Sequence, residues 1–115
     1  MNEWIKICTL DDLTPDRGAA AMVSSQQVAL FRLSGDDVIY AIAHRDPYSG
    51  ANVMARGLVG TRGGVPTVAS PMHKQVFDLR TGESMDDPAV RLDTWQTRVV
   101  DEVVEICPMP EVARV

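Results

Sequence analysis

Gln27-Val28-Ala29-Leu30-Phe31-Arg32-Leu33-Ser34-Gly35-Asp36-Asp37-Val38-Ile39-Tyr40-Ala41-Ile42 is two runs of β-forming residues split by a Ser-Gly-Asp-Asp tetrad. Gly and Asp accept the positive φ of tight turns, so the stretch predicts a β-hairpin. Moving outward, the same grammar repeats. On the N-terminal side, residues 4–8 alternate as a strand, 9–13 read as a capped turn into a Pro-Asp-Arg-Gly loop, and 19–23 form a second, alanine-rich strand closed by Ser24-Ser25. On the C-terminal side, residues 43–64 are rich in Gly and Arg, with one brief strand at Leu58-Val59. Strands return at 66–69 and 74–79, with turns at 70–73 and Thr81-Gly82. The chain then closes with a hairpin, 95–100 and 103–107, turning at Asp101-Glu102 and stopped by Pro108 and Pro110. Short strands at regular spacing, with no helical period, predict an antiparallel sandwich or barrel.

The chain has 115 residues, which predicts one domain over 1–107, a loop-rich subdomain inserted at about 43–82, and a tail at 108–115. A chain of this length can bury a core without disulfides or metals. No apolar run approaches the roughly 20 residues that cross a bilayer, and the N-terminus has no basic segment leading into an apolar one. Membrane insertion and secretion are therefore not expected. Net charge is −5, which disfavours binding a phosphate backbone and so nucleic acid. The acidic pairs Asp11-Asp12, Asp36-Asp37, Asp86-Asp87 and Asp101-Glu102 fall at expected turns and read as solvated loop tips. Cys8 and Cys107 lack any Cys or His at ligand spacing and read as small buried hydrophobes; a disulfide requires their strands to be neighbours.

Two stretches carry chemistry. Residues 40–50, Tyr-Ala-Ile-Ala-His-Arg-Asp-Pro-Tyr-Ser-Gly, resemble the first ligand loop of Rieske domains, where a strand leads into Cys-x-His. Residues 70–82, Ser-Pro-Met-His-Lys-Gln-Val-Phe-Asp-Leu-Arg-Thr-Gly, resemble the second loop, Cys-x-x-His followed by a short strand and a Thr-Gly turn. The resemblance implies an all-β, Rieske-like fold whose two-iron cluster takes two thiolates on one iron and two imidazoles on the other. Laid on this sequence, the first Cys position is Asp46, the first His position Tyr48 and the second Cys position Ser70; His73 alone matches. Hydroxyl and carboxylate oxygens are hard donors that do not replace thiolates, so no cluster is expected here. A different metal would draw on His44, Asp46 and His73, a two-His-one-carboxylate set.

The replacements are similar to those of one branch of the family, the cluster-less small subunits of assimilatory NAD(P)H-dependent nitrite reductase. The stretches 45–53, 56–60, 69–75, 77–82 and 86–88 carry that similarity. It implies a cytoplasmic accessory subunit, not catalytic by itself, beside a large subunit that holds FAD, a 4Fe-4S cluster and sirohaem and reduces nitrite to ammonium. A degenerate ferredoxin of a dioxygenase system and a metal protein with unusual ligands are the alternatives. Expected partner contacts are Arg45, Tyr48, Arg56, Arg62 and His73, from the two loops and a run of arginines in an acidic chain. The other reading of those arginines is loop ion pairing, including with Asp46. Trp4 and Trp95 read as core or strand-pair aromatics. Arg62-Gly63-Gly64 lacks the Lys and hydroxyl of a phosphate loop, and Ser70 lacks a nucleophile-elbow pattern.

Overall fold

The structure, a computed structural model, describes residues 3–35 and 38–110. It is built of antiparallel strands, with two short 3-10 turns and no α-helix among the described residues. In chain order the strands are β1 (Ile5–Thr9), β2 (Gly18–Val23), β3 (Gln26–Arg32), β4 (Ile39–Ala43), β5 (Leu58–Arg62), β6 (Val65–Ala69), β7 (Val76–Asp78), β8 (Thr94–Trp95), β9 (Thr97–Val100) and β10 (Val103–Ile106). They form three sheets, ordered β1-β10-β9, β2-β3-β4-β8 and β5-β6-β7.

The hairpin that opens the sequence reading pairs Arg32 with Ile39 and Phe31 with Tyr40. Its Gly35 has φ 72°, while Asp36 and Asp37 lie outside the described residues, as do residues 111–115 of the expected tail. Ser24-Ser25, Gly63-Gly64 and Asp101-Glu102 each join paired strands as two-residue links with both φ positive. That is the turn whose twist matches the strands it joins. The capped turn at residues 9–13 is a 3-10 turn (Leu10–Asp12) in which the Thr9 N–H donates to the Asp12 carboxylate at 2.9 Å.

Val28-Ala29-Leu30-Phe31 is a continuous apolar run because β3 is covered on both faces. Val28 and Leu30 join one cluster with Ile39, Trp95, Val104 and Ile106, under the β1-β10-β9 sheet. Ala29 and Phe31 join another with Ile42, Met54, Val68, Phe77 and Leu79, under the β5-β6-β7 sheet. The central sheet thus separates two cores. The inserted segment is the third layer and is more regular than its composition suggests. Its β5 runs to Arg62, beyond the expected Leu58-Val59, and it adds a 3-10 turn at Met54–Arg56. The expected strand at 95–100 divides at Gln96: β8 pairs with β4, and β9 pairs with β10.

β1 and β10 are neighbours, yet Cys8 lies opposite Val104 and Cys107 lies past Ile106, so both thiols are free. Trp95 is core, whereas half-buried Trp4 carries the Arg98 guanidinium 4.3 Å above its ring.

Candidate functional site

Both ligand-type loops are built on one turn. In the first, the Asp46 N–H donates to the Ala51 carbonyl at 2.8 Å, the Gly50 N–H to the Asp46 carbonyl at 2.7 Å, and the Tyr48 N–H to the Asp46 carboxylate at 2.9 Å. In the second, Ser70 N–H to Gln75 carbonyl is 2.9 Å, Lys74 N–H to Ser70 carbonyl 2.9 Å, and Met72 N–H to Ser70 Oγ 3.3 Å. A third copy follows. Asp78 N–H to Glu83 carbonyl is 2.8 Å, Gly82 N–H to Asp78 carbonyl 2.8 Å, and Arg80 N–H to Asp78 Oδ1 2.8 Å. The first residue of each turn thus supplies a side-chain oxygen that accepts the N–H two residues on, the task Asp and Ser perform at turns. The fifth residue sits at positive φ: 78° at Gly50, 62° at Lys74 and 81° at Gly82.

The leading residues of the first two turns meet. The Ser70 hydroxyl donates to Asp46 Oδ2 at 2.6 Å, with Asp46 fully buried and Ser70 1% exposed. Burial pushes the Asp46 carboxyl up, but hydrogen bonds from the Ser70 hydroxyl, the Tyr48 N–H and Ser49 outweigh it and leave it below the ordinary range. The two Cys-type positions are therefore joined to each other directly. Both Asp46 carboxylate oxygens and the Ser70 hydroxyl are engaged, and all are hard donors. The two cysteines of the chain lie in β1 and just past β10, in the sheet on the far side of the central one. These residues do not fit a two-iron Rieske cluster.

At the rim, Tyr48 is 38% exposed; its ring packs on Phe77 with centroids 6.0 Å apart, and its hydroxyl shares a 2.9 Å hydrogen bond with Ser84. His73 and Lys74 are exposed beside half-exposed Met72. His44 faces inward instead. Its Nδ1 accepts the Ala55 N–H at 3.1 Å, and burial, then the Arg56 cation, lowers its pKa. Neutral His44 is thereby the acceptor that fixes the Met54–Arg56 turn. Among the described residues no group of three His, Cys, Asp or Glu side chains is placed to hold a metal ion.

The five expected contact residues stand on several segments, and the Arg45 guanidinium lies against Gly50 of the first loop. Tyr48 and His73 stand on the joined loops. Arg45 borders a groove of about 440 Å³ with Gln27, Asn52 and Asp93. Arg56 borders another, of about 330 Å³, with Asp16 and Arg17. Arg62 ends β5 at the hairpin turn, four strand residues from Leu58, which lies opposite Ala69 at the base of the second loop. The ion pairs among the described residues are Arg80–Asp78, Arg91–Glu83 and Arg98–Glu105, so Asp46 is held by a hydroxyl and N–H groups, not by Arg45. Sequence reasoning missed Ser84, and it expected the turn at Thr81-Gly82 without its kinship to the two loops. The signal for the repeated turn was present in the parallel between Asp46-Pro47…Gly50 and Ser70-Pro71…Lys74.

This architecture is that of a Rieske-like domain: residues 3–107 match the family described as the Rieske-like [2Fe-2S] domain, and the chain belongs to that family. Within it, the chain is similar to the NADH nitrite reductase small subunit of Escherichia coli (strain K12), 38% identical over 106 residues that cover 92% of this chain and 98% of that relative. A crystal structure described as an NADH-dependent nitrite reductase small subunit from Mycobacterium tuberculosis shares 40% identity with a TM-score of 0.88, covering 99% of each chain. The chain is also similar to part of the NAD(P)H nitrite reductase large subunit of Klebsiella oxytoca, 40% identical over 96 residues that cover 84% of this chain and 10% of that relative.

Proposed function

We propose that this chain is the accessory small subunit of an NAD(P)H-dependent nitrite reductase that reduces nitrite to ammonium in nitrate assimilation. It carries no iron–sulfur cluster of its own and acts in the cytoplasm beside a large subunit holding FAD, a 4Fe-4S cluster and sirohaem. The observation that carries this reading is the buried Asp46–Ser70 hydrogen bond, at the place where a redox-active relative needs two thiolates. Similarity to nitrite reductase small subunits over 92% of the chain supports the choice of partner. No helix of the described residues is long and apolar enough to cross a membrane.

An accessory role requires a contact face. We place its centre at Tyr48 and His73, since each of the two joined loops exposes one of them. Arg45, whose guanidinium lies against Gly50 of the first loop, extends that face, whereas Arg56 and Arg62 stand on other segments.

The test is co-purification of the tagged chain with the large subunit, followed by nitrite-dependent NAD(P)H oxidation with and without the small subunit. The expected result is a stable complex and an activity that depends on this chain. Iron analysis and visible absorption of the chain purified without air should show no stoichiometric iron. Recovery of a dioxygenase in place of the large subunit, or a Rieske absorption band, would overturn the proposal.

A further inference from the structure

A strand at the edge of a sheet offers unpaired N–H and C=O groups to any other chain, and folds blunt such edges with charge, bulges or short length. Most edges in this structure are blunted in that way. β1 carries Lys6 and a register shift between Lys6 and Cys8, β9 carries Arg98, and β5 ends in Arg62. β7 has three residues and β8 two. β2 is the exception. It is the outer strand of the central sheet, runs six residues as Gly-Ala-Ala-Ala-Met-Val without a charge or a proline, and keeps an unbroken register against β3.

The register fixes which groups of β2 face outward. The Gln27 carbonyl accepts the His44 N–H at 3.2 Å, so Gln27 bonds towards β4, and Met22 opposite it turns its N–H and C=O away from β3. The alternation turns the groups of Ala20 outward as well, while Ala21 and Val23 bond inward. The Gly18 end is closed by Ala55, whose carbonyl oxygen would lie 2.2 Å from a Cβ at Gly18. Along the open part, Ala20 is exposed and Met22 is 62% exposed, beside a mostly apolar groove of about 290 Å³ lined by Ala20, Ala21, Met22 and Gln27. Among the described residues no strand pairs with this edge.

We propose that β2 pairs antiparallel with β2 of a second copy of this chain, about a twofold axis at Ala21. In that register the segment is complementary to itself. Ala20 lies opposite Met22 of the partner subunit; both face outward, so each such pair exchanges both of its hydrogen bonds. The long Met22 side chain then lies over the small Ala20 of the partner subunit, and the twofold repeats the contact. The strand is uncharged, so two copies that each carry a net charge of −5 meet without like charges on the paired strands. The proposal stands apart from the accessory-subunit reading.

Sedimentation equilibrium of the full-length chain alone, from about 1 μM to about 1 mM, tests it. The wild type should pass from monomer to dimer mass across that range. Met22→Lys and Met22→Glu should each weaken dimerisation at least about tenfold, with melts in dilute solution equal to wild type, because they charge an exposed edge. An equimolar mixture of the two should regain the dimer, since the side chains sit diagonally across the axis. Ala20→Leu fills the space under Met22 and should also weaken it, while Leu58→Lys, which charges the edge strand β5, should not. A wild type that stays monomeric throughout overturns the proposal, as does wild-type dimerisation of Met22→Lys or an equal loss in Leu58→Lys. A mixture that stays monomeric overturns it too and assigns the edge to a strand of different sequence. If Met22→Lys melts lower in dilute solution, Ala20→Leu decides; lower melts for both overturn the proposal, since these side chains would then serve the fold.

Discussion

Ser70 lends its one proton to a carboxylate that has no water to fall back on. Removing the hydroxyl leaves Asp46 buried with only N–H donors, so Ser70→Ala should cost about 1.5–3 kcal/mol at neutral pH, read from urea unfolding. The carboxyl sits below its ordinary range when folded, so its contribution is full above the unfolded value near pH 3.9 and is lost as pH falls through the folded one. The gap between wild type and Ser70→Ala should therefore narrow below about pH 4. His44 works at a different pH but with the same sign. Its folded pKa is depressed, so the unfolded chain binds a proton that the folded one resists. Stability should decline as pH drops below about 6.5. His44→Asn, which keeps an acceptor for the Ala55 N–H and cannot titrate, should flatten the slope between about pH 5 and 7.

At the scale of elements, the repeated turn separates two demands on glycine. Gly63 has φ 59° and open space around it, so Gly63→Ala should cost only the left-handed backbone term, about 1 kcal/mol. Gly82 has φ 81°, and a Cβ there would lie 2.1 Å from the Leu92 carbonyl oxygen. Gly82→Ala should therefore cost more than about 2 kcal/mol, and comparing the two denaturation midpoints measures the difference. Strands and hairpins were legible because their signals are local: alternation in residues 4–8, β-formers around Ser34-Gly35, turn formers at Thr81-Gly82. β5 was only half legible, since Gly60, Thr61 and Arg62 are exposed and carry no apolar period. The sequence showed which residues stand at the ligand positions but not that two of them bond each other. Asp46 and Ser70 are 24 residues apart, and no local rule brings them to 2.6 Å. The kinship of the third turn with the other two was hidden for a related reason. Its backbone repeats while its side chains change, with Asp, Ser and Asp leading and Gly, Lys and Gly in fifth place.

At the scale of the molecule, the two cores share the β2-β3-β4-β8 sheet as a common wall. Phe77, fully buried, is the largest residue that the outer β5-β6-β7 layer contributes, and it supports the Tyr48 ring. Phe77→Ala should cost about 3–5 kcal/mol, with one cooperative transition seen alike by tryptophan fluorescence and far-ultraviolet dichroism, because the two cores share one sheet. The pairing of Ile5 with Ile106 has a separate consequence. The first and last strands lie side by side in the layer across the shared sheet from Asp46 and Ser70. Chain leading into β1 and chain leaving β10 are therefore attached to the layer opposite the two joined loops. Grafted into or onto a longer polypeptide, the domain would hold its Asp46 and Ser70 loops away from the attachment, and the tether would raise their local concentration at whatever surface the carrier presents.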